Sequence, residues 1–120
     1  MEFNQYNTTV QQWIHTVLEN RETNADVVLE CCRDIIAYGR KTDDPKLMGF
    51  GFFYGGEIYY ELNDGAHFFH MMTEALTYLD RAEEWELVVR CYNFLGIASM
   101  SRGNPSLALD YYMNGLKDSD

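Results

Sequence analysis

Two histidines three residues apart, His67 and His70, with Glu74 four further on, come nearest to a reactive constellation in this chain. Positions three and four apart share one face of a helix. Two imidazoles and a carboxylate are groups that zinc or iron accepts. The residues between and beside them are Phe68, Phe69, Met71 and Met72, all apolar or soft, and two ligands do not make a site. The pair therefore reads as a partly exposed surface pair, and His15 as a lone surface or rim residue. Neither a metal nor any other cofactor is expected.

The remaining chemistry-bearing residues give the same answer. Cys31, Cys32 and Cys91 are odd in number and two are adjacent, a poor basis for disulfides. They read as small buried hydrophobes in a reduced, cytoplasmic setting. The acids Asp80, Glu83, Glu84 and Glu86 sit at a turn and the following helix start, where carboxylates favour the helix dipole. No nucleophile elbow and no Ser-His-Asp order is present. The run GFGFFYGGEIYYELNDG, residues 49–65, is glycine-rich. A phosphate loop, however, needs a strand before it and a Lys-Ser or Lys-Thr after it, and neither flank fits. The chain is expected to be catalytically inert.

Bulk properties bound the rest. With 120 residues and 47% apolar content the chain suffices for one domain with a modest core. Its net charge of -10, without a basic run, argues against nucleic acid and against anionic membrane surfaces. No apolar run reaches the roughly 18 residues a membrane span needs, and MEFNQYNTTVQQ lacks the basic and apolar regions of a signal peptide.

Helical spacing dominates throughout. Val10, Trp13, Ile14, Val17 and Leu18 form a first stripe, capped by Thr8 or Thr9. Asn24 caps a second helix with the stripe Val27, Val28, Cys31, Ile35 and Tyr38. A third helix runs from about Pro45 to Leu62 and a fourth from about Ala66 to Leu79. A fifth covers about Glu83 to Ser101, and a sixth opens at Pro105 and ends near Lys117.

Shifting the chain by 40 residues lays FFYGGEIYYELNDG, from Phe52, over YNFLGIASMSRGNP, from Tyr92. Tyr92, Leu95 and Gly96, then Ala108, Tyr112 and Gly115, resemble the tetratricopeptide repeat. That pattern is an aromatic, Leu-Gly and Tyr on one helix, then Ala, an aromatic and a small residue on the next. Phe52, Gly56, Tyr59 and Ala75 match in the preceding unit, where Gly55 replaces the usual Leu. The spacing exceeds the family's period of about 34. The resemblance implies an all-α, right-handed α-α superhelix of about three antiparallel helix pairs forming one domain over residues 1–120. The pairs are a degenerate one over 1–44, a second over 45–80 and a third over 81–120. It also gives the glycines of the opening run a role: Gly56 and Gly96 let paired helices cross closely. Phe52, Gly55, Gly56, Tyr59, Tyr92, Leu95, Gly96, Ala108 and Tyr112 become helix-packing residues.

In that family the first helix of each unit lines a groove. Carried onto this sequence, the groove set is Phe50, Phe53, Glu57, Tyr60, Glu61, Arg90, Asn93, Ile97 and Met100. Such a floor suits a peptide or a partner helix. The sixth helix carries Leu107, Leu109, Tyr111, Tyr112, Met113 and Leu116 and stops at KDSD without a capping helix. Either a homodimer mate or further native chain is expected to cover that flank. Divergent acidic repeats of this kind are similar to the N-terminal sensory region of bacterial diguanylate cyclases of the GGDEF type. The resemblance implies a regulatory domain whose catalytic part lies outside these residues. The rival expectations are the repeat region of a peptide-sensing transcription regulator, a free-standing adaptor and, from another class, a metal enzyme using His67, His70 and Glu74.

Overall fold

The computed structural model describes residues 1–118, and among them only helices and turns occur. The six helices are α1 (Thr8–Asn20), α2 (Ala25–Lys41), α3 (Pro45–Glu61), α4 (Gly65–Arg81), α5 (Trp85–Ser101) and α6 (Pro105–Asp118). The first cap differs from expectation. Asn7 holds it, accepting from the Val10 N–H at 2.9 Å, which places Thr8 and Thr9 inside the first turn. The KDSD end runs into residues 119–120, outside the described residues.

From α2 onward each helix starts 20 residues after the last, at Ala25, Pro45, Gly65, Trp85 and Pro105. The 40-residue similarity is thus twice a shorter structural period, set by one turn used four times. Asp43, Asn63, Glu83 and Gly103 take φ of 52, 58, 58 and 76°. The following N–H reaches back to the carbonyl five residues earlier. These bonds are Asp44 to Gly39 at 2.8 Å, Asp64 to Tyr59 at 2.9 Å, Glu84 to Leu79 at 3.0 Å and Asn104 to Ser99 at 2.9 Å. That bond closes a helix around a left-handed residue. The same residue then caps the next helix: Asp44, Asp64 and Asn104 accept from Leu47, His67 and Leu107. Glu84, one methylene longer, makes no side-chain cap bond. A three-residue reversal leaves consecutive helices antiparallel neighbours.

The outcome is an antiparallel helical stack in which each helix packs chiefly on its chain neighbours, closest for α3 on α4, α3 on α2 and α5 on α6. Side chains add a second layer of contact. Arg21, at the end of α1, reaches Glu57 of α3, and Phe53 of α3 meets Phe94 of α5 with ring centres 5.9 Å apart. So α3 lies between α1 and α5 as well as between α2 and α4.

A helix on a surface buries one stripe. Here α3 is buried without a break from Leu47 to Ile58, twelve of its 17 residues. Glycines permit that enclosure. A Cβ on Gly51 would stand 2.6 Å from Ile36 Cγ1 and 3.0 Å from the Cys32 carbonyl oxygen of α2. Gly49 faces Leu79 of α4 instead, and Gly55 and Gly56 face Met71 and Met72 of α4. Phe52 stacks on Tyr78 of α4 at 5.8 Å, and Tyr59 on the His67 ring at 4.7 Å. In the last pair Leu95 and Ala108 are buried, the Tyr92 ring lies 6.5 Å from Tyr111, and Tyr112 fills the space Gly96 leaves. On α2 the buried set is Val28, Cys32, Ile35, Ile36 and Gly39. Cys32, not Cys31, therefore faces the core.

These contacts separate two glycines in the same helix. Gly51→Ala drives a methyl against backbone, and overpacking of that kind costs about 1–3 kcal/mol. Gly55→Ala meets the flexible Met71 tip, with Cys32 Cβ at ordinary contact distance, and gains helix propensity of about 1 kcal/mol. Urea unfolding is expected to show a clear loss for Gly51→Ala and a near-neutral Gly55→Ala.

Candidate partner-binding face

The layer of α1, α3 and α5 carries the one buried carboxylate among the described residues, Glu57. It sits four residues from the end of α3 and receives two guanidinium groups. Arg21 binds it as a fork, Nε to Oε1 at 2.8 Å and a terminal nitrogen to Oε2 at 2.6 Å. Arg90 of α5 approaches Oε2 at 3.4 Å. Each guanidinium also lies over an aromatic ring, Arg21 over Tyr54 at 5.1 Å and Arg90 over Phe53 at 4.8 Å. Planar, weakly hydrated arginine suits such a double role. One carboxylate thus ties the end of α1 to α5 across α3. Further carboxylates surround the pair of cations, Glu22 and Glu61 beside Arg21 and Glu84 and Glu86 beside Arg90.

An aromatic cluster continues the seam. Phe94 of α5 meets Phe53, Tyr60 and Phe68 at 5.9, 5.4 and 6.4 Å, and Arg102 covers Phe69 at 4.2 Å. The groove residues named from the sequence separate accordingly. Phe50 and Phe53 are core, 1% and 0% exposed, and do not line an open groove. Phe3 covers Phe50, with ring centres 5.2 Å apart, while Arg90 and Phe94 cover Phe53. Glu57 is nearly covered by its arginines. Tyr60 and Arg90 are half-buried, and Glu61, Asn93, Ile97 and Met100 are exposed. Asn93, Ile97 and Met100 follow one another at helical spacing on α5, a single stripe.

Two hollows flank Glu61. One, of about 440 Å³, lies between the α3–α4 turn and the end of α5, lined among others by Tyr60, Asp64, Phe68 and Arg102. The other, of about 520 Å³, lies against the end of α1, with Arg21, Glu57 and Ile58 in its wall. Sequence reasoning missed Arg21, Phe94 and Phe3. Arg21 stands 36 residues from Glu57, and no local pattern signals such a pair. Phe94 was legible in principle, since the 40-residue shift lays it on Tyr54.

The reactive residue types are otherwise engaged. His67 donates its backbone N–H to Asp64 Oδ1 at 3.2 Å, and its Nδ1 lies 2.8 Å from Oδ2. These contacts, the backbone one foremost, hold the Asp64 carboxyl below its usual range. His70 lies edge-on to Phe52. Among the described residues no three His, Cys, Asp or Glu side chains gather as metal ligands. Cys32 and Cys91 are buried and Cys31 is partly so. Burial raises all three thiols, Cys91 to about 12, and Asp34 and Glu30 add to the rise at Cys31. No helix is long and apolar enough to cross a membrane among the described residues. Set against family models, curated proteins and solved structures, the chain matches none.

In a double-mutant cycle, Glu57→Gln and Arg21→Met are expected to couple by about 1–3 kcal/mol, because each partly buried charge loses a forked partner. The exposed His67–Asp64 pair should stay at the weak end of surface pairs. A coupling near zero at Glu57 would remove it as the tie between α1 and α3. For the thiols, a folded pKa above the unfolded value gives stability that is complete below the unfolded pKa and declines above it. Folding stability should therefore hold up to about pH 9 and then fall towards pH 12. An Ellman's-type reagent at pH 8 should leave Cys32 and Cys91 unmodified until the chain unfolds.

Proposed function

We propose that this chain is a non-catalytic helical-repeat module of the tetratricopeptide type that binds a protein or peptide along the open stripe of α5. The supporting observation is that stripe itself. Ile97 and Met100 are 43% and 54% exposed, on a helix whose other exposed large apolar residue, Trp85, stands at its first position. They line up with Asn93, while Ala98 and Ser101 of the same helix wall the hollow floored by Tyr60 and Phe68. Apolar side chains rimmed by polar ones at helical spacing are what an amphipathic partner segment recognises. The uniform helix–turn unit supports a repeat scaffold, and the right-handed superhelical form is what the sequence resemblance implies. Its setting, as the regulatory region of a bacterial GGDEF-type diguanylate cyclase, rests on the resemblance in sequence alone. A ligand on this face would act by shifting how two such chains pair.

The test uses a random peptide library displayed on phage. Peptides selected on the intact chain should lose binding at least tenfold on Ile97→Arg and on Asn93→Ala, and keep it on Leu109→Arg, which alters the exposed outer side of α6. The reverse pattern would move the binding face to α6 and remove this reading.

A further inference from the structure

The segment before α1 is not an idle tail. It runs over the α1–α3–α5 layer, held by Lys46 and Phe50 of α3. The Phe3 ring meets Phe50 edge-on, and the Lys46 ammonium lies over both Phe3 and Tyr6, at 5.0 and 6.0 Å. Lys46 Nζ also donates to the Glu2 carbonyl oxygen. The Tyr6 N–H closes a turn onto the Phe3 carbonyl at 3.2 Å. Two aromatic side chains three residues apart thus clip over one lysine. Beside them remains a hollow of about 180 Å³, walled by Leu18, Phe50, Tyr54 and Leu87 and rimmed by Glu84, Glu86 and Arg90. That volume has room for one aromatic ring, and the two carboxylates can accept from a ring that carries an N–H, such as an indole.

We infer that residues 1–6 act as an internal strap occupying a peptide site, and that the site's partner is a segment carrying two aromatic residues three apart, the first larger than Phe3. The inference rests on the binding-module reading above and specifies the ligand at the other end of the same layer. Strap and ligand compete for one site. A tethered strap has a local concentration in the millimolar range, so an added peptide binds the intact chain more weakly by the fraction of time the site is open. A segment that fills the hollow beside Phe3 gains contacts the strap lacks and displaces it. The Lys46 ammonium and the Arg90 guanidinium provide the polar anchors, one for a carbonyl and an aromatic face, the other for an acceptor.

The probe is the end-blocked hexapeptide Met-Glu-Phe-Asn-Gln-Tyr, titrated into full-length chains and followed by amide NMR shifts. Phe3→Ala in the protein is expected to tighten binding of this peptide at least tenfold over the unaltered chain, with shifts centred on Phe50, Tyr54 and Leu87. A hexapeptide with tryptophan in place of its phenylalanine should bind tighter still, and one with alanine there should not bind. Should Phe3→Ala unfold the chain, Tyr6→Ala opens the same clip and serves in its place. Equal binding to opened and unaltered chains, or none to either, overturns the strap. So does an unaltered chain that sediments as a dimer dissolved by Phe3→Ala, since a second copy's strap would then be the occupant. Library peptides that still depend on Ile97 while the hexapeptide fails would leave the proposed function standing and remove only this inference.

Discussion

A helix can be enclosed on every side only if its neighbours can come close to its backbone, and α3 is the helix on which this fold depends. Large side chains all round would hold α2 and α4 at ordinary interhelical distance and leave gaps between them. Gly51 lets Ile36 and the α2 backbone in, while Gly49, Gly55 and Gly56 admit Leu79, Met71 and Met72 from α4. Each glycine weakens the isolated helix by about 1 kcal/mol, so α3 is a poor helix alone. Its stability comes from burial. The bulky residues on the same helix, Phe50, Phe52 and Phe53, fill the directions the glycines leave free.

Enclosure also explains the charged seam. A helix buried from Leu47 to Ile58 has no place for an unpaired carboxylate, yet Glu57 lies in that run. It is accommodated because two arginines arrive from opposite neighbours and because their flat faces rest on Tyr54 and Phe53. The pairs are not a large source of stability relative to apolar packing. What they supply is register: Arg21 fixes where α1 ends relative to α3, and Arg90 fixes the height of α5. That register sets the hollows on either side of Glu61.

Much of the architecture was legible in the sequence because turns and caps are local. Asn63-Asp64-Gly65 and Gly103-Asn104-Pro105 mark reversals by residue type, and helical stripes mark the elements between them. The period of 20 was harder to see. It lives in left-handed positions filled by Asp43, Asn63, Glu83 and Gly103, four different residue types with the same φ sign. Glu83 carries no residue-type signal for that conformation. On the candidate face, the open residues of α5 were legible from helical spacing. The burial of Phe50 and Phe53 was not, because it depends on Phe3, Arg90 and Phe94 arriving from distant parts of the chain.

That last difference has one cause, visible when the repeat is laid on itself. A shift of 40 residues places Asn93, Ile97 and Met100 on Phe53, Glu57 and Tyr60, and a second such shift places them on Trp13, Val17 and Asn20. The three sets occupy the same side of α5, α3 and α1. Phe53 and Glu57 are buried, whereas Asn93, Ile97 and Met100 are open. Residue type does not account for this, since Ile97 is far more apolar than Glu57. Place in the stack separates α3 from α5: α3 has α1 and α5 on its two flanks, and among the described residues α5 is flanked only by α3. The same side is thus core on the enclosed helix α3 and open surface on α5.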